Sequence, residues 1–298
     1  MLAFDDFDAW GNAVSGAHLR LACDAVERRS WTLGIVDLDS IVLQIATEGG
    51  GNLCYGGNTH AGTLLFIPLT HAGEHVANGL HLDDDSLFAI PRGADFSIHV
   101  RRRAHSWCSI ALPDSHEIPG LSGSSRIACR PGSLRSLRRM VLDVTKSLLD
   151  RPGGTPAHRA AGNDLTAAAL SCLMHSPPSR VSAGRPRLDR ESIVRRAMEV
   201  IESSPTMPAT ADLARRIGIN DRTLLRTFRE TFGMPPKKYL MLRELHIVRR
   251  LLTARQEPDA TVAAVLSGRG IWEFGRFAGR YREHFGELPS QTLERVHG

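Results

Sequence analysis

Arginines at helical spacing carry the clearest chemistry in this sequence. Arg222 and Arg226 stand four residues apart, and Arg229 follows, in Asn220-Asp-Arg-Thr-Leu-Leu-Arg-Thr-Phe-Arg. On a helix such a pair projects side by side. A guanidinium can bridge guanine O6 and N7 in bidentate fashion, or grip a phosphate. Thr223 and Leu225 share the outward side of the same segment, and Leu225 suits a thymine methyl. Leu224 and Phe228 are spaced to face a core. Further along, Arg276 and Arg280 repeat the spacing of four, with Phe277 and Tyr281 at core positions. Base reading, phosphate contact and a solvated face are the three uses open to these arginines.

Two helix-turn-helix patterns must present them. The first spans about residues 209–232 and the second about 260–285. In each, a short apolar helix ends at Gly218 or Gly270, an isoleucine follows, then a polar turn and an arginine-bearing helix. Glycine suits the helix exit because it takes φ > 0 without a Cβ clash. Asn220 has the character of an N-cap for the first recognition helix. Both second helices close on Phe-Gly with a proline shortly after: Phe232-Gly233-Met-Pro and Phe285-Gly286-Glu-Leu-Pro.

With the segment between them, these units resemble the DNA-binding domain of the AraC/XylS family of bacterial transcription regulators. The resemblance covers Leu188–Arg295, about a third of the chain. That family bridges its two units with one long helix. Here Leu240, Leu242, Leu245, Val248, Leu251 and Leu252 recur at spacings compatible with a buried helical face. The second unit departs from the family. Gly275 and Gly279 fall where members carry polar, base-reading side chains, and Leu266 replaces a small residue. Glycine costs about 1 kcal/mol against alanine inside a helix. The pair implies either close backbone approach to DNA, with Arg276 and Arg280 on phosphates, or a unit that reads little sequence. Lys237, Lys238 and Arg243 are candidates for backbone contact or for plain solvation.

Bulk properties agree with this. The 298 residues are enough for two domains, with net charge +5. From Arg185 onward there are 21 Lys+Arg against 14 Asp+Glu; residues 1–184 hold 16 against 18. The basic excess coincides with the helix-turn-helix region, as counterion-release binding requires. Five scattered cysteines without a Cys-x-x-Cys predict reduced, mostly buried thiols. The acidic start Met1-Leu-Ala-Phe-Asp-Asp is unlike a leader, and no apolar run approaches the ~18 residues of a membrane span. A cytoplasmic protein that does not enter membranes is expected.

The N-terminal part, 1–175, is predicted β-rich. Residues 5–30 read as partly helical. Apolar runs at 31–46, 63–68, 86–91, 95–100 and 106–112, with a turn at Gly49-Gly-Gly-Asn52, suggest a sandwich or small barrel. Helices are expected at about 132–150, where Leu134, Leu137, Val141, Val144 and Leu148 form a stripe, and at 157–174. The resemblance implies a cupin-like barrel here and helices that pair two subunits; packing on the barrel alone is the alternative. Residues 176–186 have linker composition, and 187–298 form the DNA-binding domain. The fold class is thus multidomain α+β: a cupin-like β-barrel with flanking helices, then an all-α domain.

Metal and catalytic sites are not expected. His60, His71 and His75, with Glu74, lack both the His-x-His spacing of metal cupins and the His-Glu-x-x-His order. Arg101-Arg-Arg103 and Asp83-Asp-Asp85 read as solvated loops. No cofactor is implied. The resemblance implies a sequence-specific regulator, an activator by family habit. It would bind promoter DNA as a homodimer, contact RNA polymerase and answer to a small-molecule effector. The alternatives are a cupin-like enzyme tethered to a helical domain, and a regulator whose N-terminal half only dimerises.

Overall fold

The computed structural model describes residues 1–115, 118, 121, 123–174, 190–254 and 261–297. The linker stretch 176–186 lies outside the described residues. The chain divides into two compact units, the second starting at Ser192.

The N-terminal unit contains β1 (Leu2–Phe4), α1 (Phe7–Ala13), β2 (Ala17–Val26), β3 (Trp31–Asp37), β4 (Val42–Glu48), β5 (Gly50–Asn58) and β6 (Leu64–Pro68). It continues with β7 (Val76–Ala77), β8 (Leu80–His81), β9 (Ser86–Ile90), β10 (Asp95–Val100), β11 (His105–Ala111), β12 (Ser125–Ala128), α2 (Ser133–Leu148) and α3 (Pro156–Met174). The strands form two antiparallel sheets, ordered β1-β3-β4-β11-β6-β9-β12 and β2-β5-β10-β7-β8. Among the described residues the two sheets do not close into a barrel; of the two architectures suggested by the strand pattern, the sandwich is the one observed.

The strand sequences explain this layering. In the larger sheet, Leu43, Ile45, Leu65, Ile67, Leu87, Ala89, Cys108 and Ile110 point to one face, where they join Leu134, Leu137 and Val141 of α2 and Leu165 and Ala169 of α3. The alternate residues, Ala46, Leu64, Phe66, Phe88, Ile90, Trp107 and Ala111, turn to the other face and meet Leu21, Cys54, Phe96 and Ile98 of the smaller sheet. Both faces of β6 and β9 are buried, so their sequences are continuous apolar runs. On α2, Thr145 is buried and Val144 only half-buried, a slight rotation of the expected stripe.

Two segments differ from expectation. The helix near the N-terminus is confined to Phe7–Ala13; Gly16 (φ 85°) then turns the chain and 17–26 pairs along β5 as a strand. Gly49–Asn52 is no turn, because Gly50 already begins β5. A Cβ on Gly50 would stand 2.0 Å from the Ala25 carbonyl oxygen, and on Gly51 2.2 Å from the Arg102 nitrogen. These glycines serve close backbone approach rather than a left-handed turn. Asp83 and Asp84 are exposed as expected, but Arg101 is not simply solvated: its Nε donates to buried Asp24 at 2.6 Å. All five cysteines are buried and none is in a disulfide, and burial pushes the Cys108 thiol up to about 12.

The C-terminal unit is helical: α4 (Arg190–Ser203), α5 (Thr210–Arg216), α6 (Asp221–Phe232), α7 (Pro236–Ala254), α8 (Val262–Gly268), α9 (Phe274–Phe285) and α10 (Pro289–His297). α7 is the bridge. It buries Leu240, Leu242, Leu245, Val248 and Leu252, but Leu251 is 38% exposed. Leu245, Val248 and Leu252 meet Val265, Leu266, Phe277, Tyr281 and Leu293 in one core. Leu266, oversized for its place in the resemblance, is 1% exposed there. Among the described residues, no helix is long and apolar enough to cross a membrane.

Candidate nucleic-acid interface

α5 and α6 form the first unit. α5 ends at Arg216 with Ile217 as its C-cap, and Gly218 exits with φ 73°. The Asn220 side chain accepts from the Thr223 backbone nitrogen at 2.8 Å, capping α6. Leu224, Phe228 and Phe232 are fully buried, and Phe228 packs edge-on against Tyr239 of α7 at 5.5 Å. That inward face sets the outward one. Arg222, Arg226 and Arg229 are exposed, while Thr223 and Leu225 are half-buried. Among the described residues, none of these three arginines has a carboxylate within ion-pair distance. Their donors face solvent, free to engage base edges or phosphates. By contrast, Arg215 is paired with Asp212, and Arg216 donates to the Ser204 hydroxyl at 2.7 Å.

α8 and α9 form the second unit. Thr261 caps α8, accepting from the Ala264 nitrogen at 3.2 Å, and Gly270 exits with φ 71°. Phe277 and Tyr281 are buried, so Gly275 and Gly279 face outward, with no other group within 4 Å of an added Cβ. Their lack of side chains therefore reflects no crowding within the protein. Arg276 is exposed but pairs with Glu273 at 3.1 Å, and Arg280 is half-buried. The two recognition helices are thus unequal in the donors they offer.

Two aromatics were missed by sequence reasoning. Trp272 is 74% exposed and Phe274 38% exposed, both at the entrance to α9. Phe274 lies three residues before buried Phe277, so helical periodicity alone predicts burial for it. The available signal for Trp272 was its position in the polar turn, where an indole has no core to join. Arg243 also differs from expectation. It is 6% exposed, so it is a buried residue of the bridge and no candidate for phosphate contact; Lys237 is exposed and Lys238 half-buried.

An ionic frame holds α9 and α10 against α7. Glu287 accepts from Arg249 at 2.8 Å, from Arg295 at 2.9 Å and from the Thr292 hydroxyl at 2.8 Å. The Tyr281 hydroxyl donates in turn to Thr292 at 2.9 Å, and the Arg249 guanidinium lies 4.5 Å over the Phe285 ring. Burial alone would raise the Glu287 pKa; Thr292, Arg249 and Arg295 outweigh it and hold the carboxyl below its usual range. Arg269, at the exit of α8, donates to Glu244 at 3.0 Å and to the Pro205 carbonyl at 2.8 Å.

The histidines considered for a metal lie apart in role. His60 Nε2 bonds the Leu112 carbonyl at 2.9 Å, and His75 is fully buried with Nδ1 on the His71 carbonyl. Among the described residues, no three His, Cys, Asp or Glu side chains are grouped to hold a metal ion.

Comparison with known proteins bears on this same region. Residues 213–295 match the helix-turn-helix domain family. A probable thc operon regulatory protein of Rhodococcus erythropolis is 28% identical over 153 residues, covering 50% of this chain and 46% of that protein. The XylDLEGF operon transcriptional activator 1 of Pseudomonas putida is 34% identical over 117 residues, covering 38% of this chain and 33% of its own length. The chain thus spans a third to about half the length of these curated relatives. A solved structure of a probable AraC family transcriptional regulator from Rhodopseudomonas palustris is 32% identical, covering 36% of this chain and 98% of that one, with TM-score 0.32.

Proposed function

From the AraC-type helix-turn-helix domain that forms its C-terminal third, we propose that this chain binds double-stranded promoter DNA and regulates transcription there. The observation that carries the reading is α6: a capped helix with Arg222, Arg226 and Arg229 exposed and, among the described residues, without ion-pair partners. Such a helix can lie in a major groove with its arginines on guanine edges and phosphates. Arg222, Thr223, Leu225 and Arg226 are the proposed base-facing residues, with Arg229 beside them. Arg276 and Arg280 are proposed phosphate contacts, because Gly275 and Gly279 have no side chain to match a base edge.

Activation rather than repression is proposed because a relative bears the name of operon transcriptional activator. Residues 187–298 are the proposed DNA-binding domain and 1–175 the proposed sensor and dimerisation domain. A homodimer contacting RNA polymerase and answering to a small molecule completes the reading. The cupin-like description of the N-terminal half rests on the resemblance alone. The test is selection of DNA fragments with the purified full chain, repeated with Arg222→Ala/Arg226→Ala. The wild type should enrich a defined motif and the double variant should lose it. A wild type that enriches no motif, while binding all fragments alike, would refute sequence-specific regulation.

A further inference from the structure

Between its two sheets, the N-terminal unit holds a cavity of about 70 Å³. A water needs on the order of 10–15 Å³, so about five to seven groups of that size fit. Strand alternation decides what faces it. Leu64 and Phe66 of β6, Phe96 and Ile98 of β10 and Trp107 of β11 line it, with Trp10 of α1. Its mouth lies where α1 turns into β2, because the lining residues Val14, Ala17 and Leu19 are only half-buried there. Gln44 latches that segment: it donates to the Ser15 carbonyl at 2.9 Å and accepts from the Ser15 nitrogen at 3.2 Å.

Polar side chains also line the cavity, but their bonds are made within the protein. The Trp10 indole donates to the Thr32 carbonyl at 3.2 Å, and the Trp107 indole to Glu48 Oε1 at 2.7 Å. Asn52 Nδ2 donates to the same oxygen at 3.1 Å, and His105 Nε2 stands 3.4 Å from it. Glu48 Oε2 and Asn52 Oδ1 have no hydrogen-bond partner, yet both are closed even to water, so no ligand atom reaches them. Burial alone would lower the His105 pKa, but the adjacent Glu48 outweighs it and raises the value. A protonated His105 beside Glu48 is a charge-balanced pair, which draws neither a cation nor an anion. Ser109 adds a hydroxyl to the lining; a hydroxyl both donates and accepts, so it selects no charge.

We propose that this cavity binds a small, uncharged, apolar molecule, which enters beside Val14, Ala17 and Leu19. An apolar cavity with few polar partners holds water poorly and takes apolar guests instead. An ion would leave its hydration shell for a wall that offers it no counter-charge. The proposal deepens the effector reading above and rests on it only for the consequence at DNA. Binding is therefore read on the full chain without DNA, so a negative result leaves the DNA-binding reading standing.

The test compares cyclopentane, isobutyrate and isobutylamine, molecules of five or six non-hydrogen atoms each, so charge and not size separates them. At pH 7 the second is an anion and the third a cation. Affinities come from ligand-observed NMR titrations on the full-length protein. Cyclopentane should bind at least tenfold more tightly than either ion. Ala17→Phe sets a ring in the half-buried mouth and should weaken cyclopentane binding at least tenfold, with the circular dichroism unchanged. If that variant does not fold, the wild-type series alone decides. Either ion binding as tightly as cyclopentane overturns the proposal, and so does the absence of cyclopentane binding. Undiminished cyclopentane binding by a folded Ala17→Phe would place the guest elsewhere and overturn it too.

Discussion

Arg226→Ala separates base reading from mere charge. Arg226 is exposed and has no ion-pair partner among the described residues, so its removal breaks no contact that holds the fold. Surface changes of this kind stay within about 0.5 kcal/mol of stability, and alanine favours a helix at least as well as arginine. The loss at DNA is then free of a folding contribution. A bidentate guanine contact is worth about 1–3 kcal/mol, and about 1.4 kcal/mol is tenfold in affinity. Affinity for the selected site should fall about 5- to 150-fold, with preference relaxed at one or two base pairs. The assay is fluorescence anisotropy on the selected site and on a scrambled duplex at one salt concentration, with a parallel thermal melt. Equal loss on both duplexes would demote Arg226 to a phosphate contact. A substantially lowered melting temperature would refute the claim that it is structurally idle.

The unequal helices predict unequal information in the binding site. Scrambling the half under α9 should cost little, whereas Arg276→Ala with Arg280→Ala should lower affinity on all sequences alike and flatten the salt dependence; equal information in both halves of a selected motif would contradict this. Trp272→Ala should leave the melting temperature unchanged, since the indole is 74% exposed, yet weaken DNA binding measurably; unaltered anisotropy would remove Trp272 from the interface. For the Glu287 frame the sign follows from a lowered carboxyl pKa. Its stabilisation is complete above the unperturbed value of 4.5 and is lost as pH falls through the lower folded value. Chemical unfolding of the C-terminal half followed from pH 7 to 3 should show this loss, and Glu287→Gln should abolish it while costing about 1–2 kcal/mol at pH 7. An unchanged pH profile in the variant would mean that other carboxylates govern acid unfolding.

The helix-turn-helix units were legible in the sequence because their determinants are local. Helical period assigns Leu224 and Phe228 inward and Arg222 and Arg226 outward without reference to distant residues. Gly218 and Gly270 mark exits by their positive φ, and Asn220 caps with its own side chain three residues ahead of Thr223. The strands at 95–100 and 105–111 and the α2 and α3 helices were equally readable as apolar patterns bounded by turn residues.

What needed the tertiary structure depends on partners far away in the chain. Gly50 is in a strand because Ala25 crosses it closely, a contact that no window of sequence contains. Arg243, Leu251 and Phe274 all defy their residue type or spacing, since burial on α7 and α9 is decided by which neighbouring helices arrive. The half-satisfied Glu48 became visible only when β4, β5 and β11 brought Glu48, Asn52, His105 and Trp107 together. Periodicity and capping are properties of adjacent residues, so the sequence by itself determined the helices of the two helix-turn-helix units and the inward and outward faces of α6. Desolvation and charge pairing belong to groups brought together by the whole fold, so tertiary structure alone decided the orphaned oxygen of Glu48 and the ionic frame of Glu287.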